Sequence, residues 1–152
     1  MRTLVVYESQ FGNGERIAQA IAEELGTDAV AVSANGPAIA SDVELLVVGG
    51  PTHAFTMSTA VSRAAARGSG GRGAPGIRDW LSAASLEGIT VAAFGTQNSR
   101  FSGSATRAAA RLARKRGALV IAKAEFLVSK QAGPLVDGEV QRAREWARGL
   151  LK

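Results

Sequence analysis

The sequence predicts one α/β domain, a parallel sheet covered by helices on both faces. Three observations carry that prediction. Four runs, Thr3–Tyr7 (TLVVY), Glu44–Gly50 (ELLVVGG), Thr90–Gly95 (TVAAFG) and Ala118–Val128 (ALVIAKAEFLV), are apolar on both faces instead of alternating, as strands buried on both sides require. Stretches with apolar residues at helical spacing interleave with them. The chain has 152 residues, 46% of them hydrophobic and 20% charged, which suits one domain with a real core.

Taken in order, Thr3–Tyr7 opens the sheet, and Gly14–Leu25 follows as a helix with Ile17, Ile21 and Leu25 turned inward. The weaker run Asp28–Ser33 (DAVAVS) suits an edge strand. Glu44–Gly50 is the third strand. Further helices are expected at Ser58–Arg67, Ile77–Ala84, Gly103–Arg116 and Gly138–Leu151, with Thr90–Gly95 and Ala118–Val128 as strands between the last three. Gly68–Gly76 (GSGGRGAPG) reads as a flexible loop, too short for a linker between domains. Trp80 and Trp146 fall on helices, where a core or half-buried role is expected. There is no internal repeat.

Composition excludes several chemistries. The chain has no cysteine, hence no disulfide, thiolate ligand or thiol nucleophile, and its single histidine, His53, speaks against a zinc site. No catalytic triad or carboxylate pair stands out. The first strand-like run begins at Thr3 with no basic region followed by a long apolar segment, so no signal peptide is expected, and no apolar run approaches the roughly 18 residues that span a bilayer. The expectation is a soluble, cytoplasmic protein.

In an open parallel sheet, ligands bind at the carboxyl ends of the strands, near the point where strand order reverses. Ser9–Gly14 (SQFGNG), Pro51–Phe55 (PTHAF) and Thr96–Phe101 (TQNSRF) should therefore converge. The first leads into a helix, whose unpaired amides and dipole favour an anion such as phosphate. Ser9, Asn13 and the amides of Gln10 to Gly14 can bond such a group without any cation, although Ser9 and Asn13 also suit a helix cap with no ligand. Gly12-Asn13-Gly14 begins a dinucleotide fingerprint, but Ile17 occupies the third glycine position and VSAN, after the second strand, carries no acid for a ribose. No Gly-Lys-Ser or Gly-Lys-Thr follows, which excludes a triphosphate loop.

These three segments resemble the flavodoxins. SQFGNG is similar to the family's phosphate loop, DVELLVVGGPTHAFTMS to its third strand and first flavin-contacting loop, and VAAFGTQNSRFSGSA to its fourth strand and second flavin-contacting loop. The resemblance covers most of the chain at the spacing of a short-chain member. It implies a flavodoxin-like three-layer α/β sandwich with five parallel strands in the order 2-1-3-4-5. It also implies non-covalent FMN and electron transfer between redox partner proteins. By that resemblance Ser9, Gln10, Phe11, Gly12, Asn13 and Gly14 hold the phosphate. Pro51, Thr52, His53, Ala54 and Phe55 line one side of the flavin, and Thr96, Gln97, Asn98, Arg100 and Phe101 the other, with His53, Phe55 or Phe101 against the flat ring. Such a protein needs no acid, base or nucleophile, because the ring carries the redox chemistry.

The chain departs from the family in three ways. Gly14 stands where threonine is usual in the family, and loss of its charge-assisted hydrogen bond, about 1.5–3 kcal/mol, is expected to weaken FMN binding by roughly 10- to 100-fold. The customary Trp and Tyr are missing from both ring-flanking loops, and the only ionisable side chains there are His53 and Arg100, which implies a less negative flavin potential than in an acidic flavodoxin. The net charge is +5, where flavodoxins are typically acidic. Arg107, Arg111, Arg114 and Lys115 share a helical face, either solvated or steering an acidic redox partner. No aromatic residues interleave with them, which speaks against nucleic acid. Two alternatives stay open: a flavin-free interaction module using that basic helix, and a small quinone- or protoporphyrinogen-reducing flavoprotein.

Overall fold

The computed structural model describes residues 2–33, 36–53, 56–57, 76–98, 105–130 and 133–151. In chain order its elements are β1 (Arg2–Tyr7), α1 (Asn13–Leu25), β2 (Ala29–Ala31), β3 (Val43–His53), β4 (Thr56–Met57), α2 (Ile77–Ala83), β5 (Thr90–Gln97), α3 (Ala105–Lys115), β6 (Leu119–Leu127) and α4 (Glu139–Leu150). Five strands form a parallel sheet in the order β2-β1-β3-β5-β6, and the two-residue β4 pairs antiparallel with the end of β3. Counting parallel strands alone, the order is 2-1-3-4-5, as expected. Strand order reverses between β1 and β3, which puts the switch point at the carboxyl ends of those two strands.

The apolar runs behave as predicted because their alternate residues serve two cores. On one face Val5, Tyr7, Leu45, Val47, Ala92, Phe94 and Phe126 pack under α1 and α4 through Ile17, Ile21, Ala143 and Ala147. On the other, Val6, Leu46, Val48, Val91 and Ala93 pack under α2 and α3 through Ile77, Leu81, Ala109 and Ala113. The Phe94 ring lies flat over Gly49, where a Cβ would fall 2.0 Å from Cζ, so this strand position admits only glycine without moving the ring. Trp146 meets Phe126 edge-on at 6.2 Å, and Trp80 donates from Nε1 to the Pro37 carbonyl at 2.9 Å. Both tryptophans have the half-buried roles expected of them.

β6 corrects one reading. Its run is apolar in composition, yet Leu119 and Ile121 are exposed, because it is an edge strand. Register shifts between Val91, which pairs with Val120, and Ala92, which pairs with Ala122, leaving Ile121 as the extra residue. The strand's open edge is closed at its carboxyl end by side chains from α4. Glu139 accepts the Leu127 amide at 2.7 Å, and Arg142 donates to the Glu125 carbonyl while lying 4.6 Å above the Phe126 ring. Sealing the unpaired edge in this way prevents further strand addition at that end.

Other elements differ in extent. The weak run at Asp28–Ser33 contributes only Ala29–Ala31, at the edge as expected. β3 and β5 continue past their predicted ends, to His53 and Gln97, because backbone pairing outlasts the apolar composition. The expected helix Ser58–Arg67 and all but the last residue of the loop Gly68–Gly76 lie outside the described residues. Among the described residues no helix is long and apolar enough to cross a membrane.

Candidate functional site

The carboxyl-end rim is built outward from β1. Glu8 extends the strand by one bond, its amide donating to the Gly49 carbonyl at 2.9 Å. The chain then turns through Ser9, Gln10 and Phe11 onto α1. Ser9 Oγ accepts the Gly12 amide at 3.0 Å, and Gly12 takes φ 93°, the left-handed conformation that glycine adopts without strain. Gly12 is the N-cap of α1 and carries no side-chain cap bond, while Asn13 is already helical. The capping reading of Ser9 and Asn13 is therefore replaced: Ser9 shapes the loop. An oxygen that accepts one bond keeps its proton to donate elsewhere. At the base, Tyr7 Oη donates to Glu15 Oε1 at 3.1 Å and ties the strand end to the first turn of α1.

Two glycines fix how closely the backbone packs here. At Gly14 a Cβ would lie 3.3 Å from the Glu8 carbonyl oxygen and 3.7 Å from Ser9 Cβ, so the helix start rests almost directly on the loop. Gly133, in the β6–α4 connection, has φ 98°, and a Cβ there would fall 2.5 Å from Asn13 Oδ1. The Asn13 amide is thus held from outside by another loop. Sequence reasoning missed Gly133; the signal was the Gly-Pro pair in QAGPLV, far from the glycine-rich bend it supports.

One residue inward, a row crosses four strands on the α2/α3 face: Glu8, Gly50, Gly95 and Glu125. Glu8 is 1% exposed. Its Oε1 accepts the Ile77 amide at 2.9 Å and its Oε2 accepts Gln10 Nε2 at 2.9 Å, so one buried carboxylate joins the loop to the start of α2. Across the row, Glu125 Oε2 and Thr106 Oγ1 would each lie 2.6 Å from a Cβ on Gly95; the missing side chain makes room for both. Neither glutamate stands out in the sequence, because Glu8 and Glu125 sit at or near strand ends and outside the three glycine-rich or strand-following loops. The available signal was a glutamate directly after the apolar run Thr3–Tyr7, and the structure buries Tyr7, Glu8, Ser9 and Gln10 together.

The other two segments are less loop-like than expected. Pro51, Thr52 and His53 belong to β3: Pro51 pairs with Thr96, and Thr52 and His53 pair with Met57 and Thr56 in a short antiparallel ladder. Thr96 and Gln97 are the last residues of β5, buried and paired with Phe126 and Leu127, and the Gln97 carbonyl accepts the Val128 amide at 2.8 Å. Gln97 Oε1 is buried with no hydrogen-bond partner among the described residues. Asn98 is exposed. Ala54, Phe55, Arg100 and Phe101 lie outside the described residues. The structure thus brings Ser9–Gly14, Pro51–His53 and Thr96–Asn98 to one rim, at the ends of β1, β3 and β5.

The rim places the Ser9 hydroxyl and the first amides of α1, which carry no side-chain cap bond, at one helix start. Among the described residues no three His, Asp or Glu side chains gather to hold a metal ion. The arrangement is chemically suited to holding an anionic group in place.

The sequence pattern of the flavodoxin family matches residues 5–146. No curated protein sequence matches the chain. Among solved structures, oxidised flavodoxin 1 from Bacillus cereus superposes with a TM-score of 0.69 at 16% identity, covering 99% of this chain and 97% of that one. A short-chain flavodoxin associated with a bacterial microcompartment gives 0.65 at 19% identity, with 99% and 97% coverage. The flavodoxin of Fusobacterium nucleatum bound to flavin mononucleotide gives 0.63 at 16% identity, with 99% and 98% coverage.

Proposed function

The chain belongs to the flavodoxin family, whose members typically bind FMN and transfer electrons, and on that premise we propose that it holds FMN non-covalently at the carboxyl-end rim and shuttles electrons between redox proteins. The observation that carries this reading is the bend from Ser9 to Gly14. Ser9 Oγ accepts the Gly12 amide through one of its two lone pairs, which leaves its proton available to donate to a ligand, and the amides after Gly12 open α1 with no side-chain cap bond at Gly12. Those donors suit a terminal phosphate, and the dipole of α1 adds to them.

Glu8 has the wrong sign for a phosphate neighbour, but its carboxylate is turned down to Ile77 and Gln10 and kept from the loop's outer surface. Pro51–His53 and Thr96–Asn98 border the next stretch of rim as neighbouring strand ends, and in this reading the ring system of FMN lies over them. The flavin supplies the redox chemistry when bound. The chain's part is to bind and orient it, with Thr96 and Gln97 excluding water from its inner side.

Gly14 favours a second reading, a flavin-free interaction domain, because it lacks the hydroxyl that most of the family offers the phosphate. Absorbance separates the two. Purified protein incubated with FMN and desalted is expected to retain one flavin per chain, with a perturbed visible spectrum. Protein that emerges colourless, and whose fluorescence is unchanged by FMN, belongs to the second reading.

A further inference from the structure

We propose that the exposed basic face of α3 is the docking surface for an acidic redox partner; the proposal rests on the electron-transfer reading above. Charge is distributed very unevenly. Residues 98–116 carry Arg100, Arg107, Arg111, Arg114, Lys115 and Arg116 with no Asp or Glu, and residues 58–75 carry three arginines, again with no acid. The other nine of the 18 cations share the rest of the chain with all 13 carboxylates. Outside those two stretches the protein is therefore net acidic by four, as a flavodoxin would be, and the basic character is local.

On the opposite side of the sheet, arginines are consumed by ion pairs. Arg144 meets Glu23 at 2.9 Å, Arg148 meets Glu24 at 2.9 Å, and Arg142 meets Glu139 at 2.7 Å. On α3 the small residues Ala105, Ala109, Ala110 and Ala113 seat the helix on the sheet, and Arg107, Arg111, Arg114 and Lys115 are exposed. Among the described residues no ion pair engages Arg111, Arg114 or Lys115. Like charges at this spacing repel and weaken a helix. The helix dipole compensates Arg114 and Lys115 in the last turn, but nothing of that kind compensates Arg111 in mid-helix.

Position gives the stripe its use. α3 begins directly after the segment that follows β5, and Thr106 in its first turn bonds the Ala124 carbonyl beside Gly95, at the same rim as the candidate flavin site. The stripe therefore starts at the rim and runs away from it. A partner with a carboxylate-rich surface, drawn by this field, arrives with one end at the edge where electrons must cross.

Fluorescence anisotropy of a labelled glutamate decapeptide with the purified full chain tests this without flavin. Wild type is expected to bind it with strong salt dependence, and Arg111→Glu/Arg114→Glu/Lys115→Glu to bind at least about tenfold more weakly with a flattened dependence. A milder Arg111→Gln/Arg114→Gln variant should fall between them and guards against misfolding. Undiminished binding by these variants would overturn the proposal, as would duplex DNA binding more tightly than the peptide at equal salt. In the FMN-loaded, reduced protein, oxidation by ferricyanide should slow with salt for wild type and not for the triple variant, while hexaamminecobalt(III) shows the opposite trend. FMN affinity should be the same in all variants. A failed flavin titration thus overturns the site reading alone, and unchanged peptide binding overturns the docking surface alone.

Discussion

Replacing Gly14 with threonine separates the two roles that the structure gives this position, close packing and phosphate binding. The new Cβ sits 3.3 Å from the Glu8 carbonyl oxygen, so that carbonyl must yield by a few tenths of an ångström; the contact with Ser9 at 3.7 Å is ordinary. Crowding of this kind costs on the order of 1 kcal/mol. Against it, a helix gains a few tenths of a kcal/mol on losing a glycine. The net change in stability should stay within about 1 kcal/mol, or roughly 2–4 °C in the thermal midpoint. The hydroxyl, if it reaches the phosphate, adds a charge-assisted bond of about 1.5–3 kcal/mol, a 10- to 100-fold gain in FMN affinity. Gly14→Ala supplies the same Cβ without the hydroxyl. Isothermal calorimetry of wild type and both variants with FMN and riboflavin should show the gain only for threonine and only for FMN. Equal FMN affinity in the Thr and Ala variants would refute the placement of Gly14 beside the phosphate.

Three further outcomes are expected. Gly49→Ala puts a Cβ within 2.0 Å of the Phe94 ring, and it should destabilise by about 1–3 kcal/mol and lower the thermal midpoint by several degrees; an unchanged midpoint in calorimetry would mean the ring does not lie on Gly49. Glu8→Ala leaves the Ile77 amide and the Gln10 amide without their buried acceptor, costing roughly 1–3 kcal/mol for each in urea unfolding and loosening FMN, whereas Glu8→Gln retains an acceptor and should cost less. The hydrogen bond from Arg148 holds the Glu24 carboxyl below its ordinary 4.5. With the folded value depressed, its contribution is present above 4.5 and is lost as pH falls through the lower folded value. The stability gap between wild type and Arg148→Ala should therefore narrow between pH 7 and pH 2.5 in urea titrations, and a constant gap would contradict the pairing.

Much of the fold was legible because both-sided apolar runs and helical spacing report burial directly. Thr3–Tyr7 and Thr90–Gly95 lie in the sheet as read, and Ile17 and Ile21 point inward because a stripe at i and i+4 has one place to go. Ala118–Val128 shows the limit: composition does not reveal whether a strand is central or at an edge, and Leu119 and Ile121 ended up exposed. Of the candidate site, the glycine-rich bend was readable since its glycines mark close backbone approach. Glu8, Glu125 and Gly133 were not, because their roles come from neighbours distant in sequence, such as Ile77, Thr106 and Asn13. The antiparallel pairing of β3 with β4 was hidden as well, since backbone pairing at Thr52 and His53 leaves no mark in residue type.

The central claim, that this rim holds FMN by its phosphate, is tested most directly by titrating the wild-type protein in phosphate-free buffer with FMN and, in parallel, with riboflavin. The account predicts one FMN per chain and much weaker riboflavin binding, with inorganic phosphate competing against FMN. Equal affinity for the two flavins, or FMN binding indifferent to added phosphate, would contradict it.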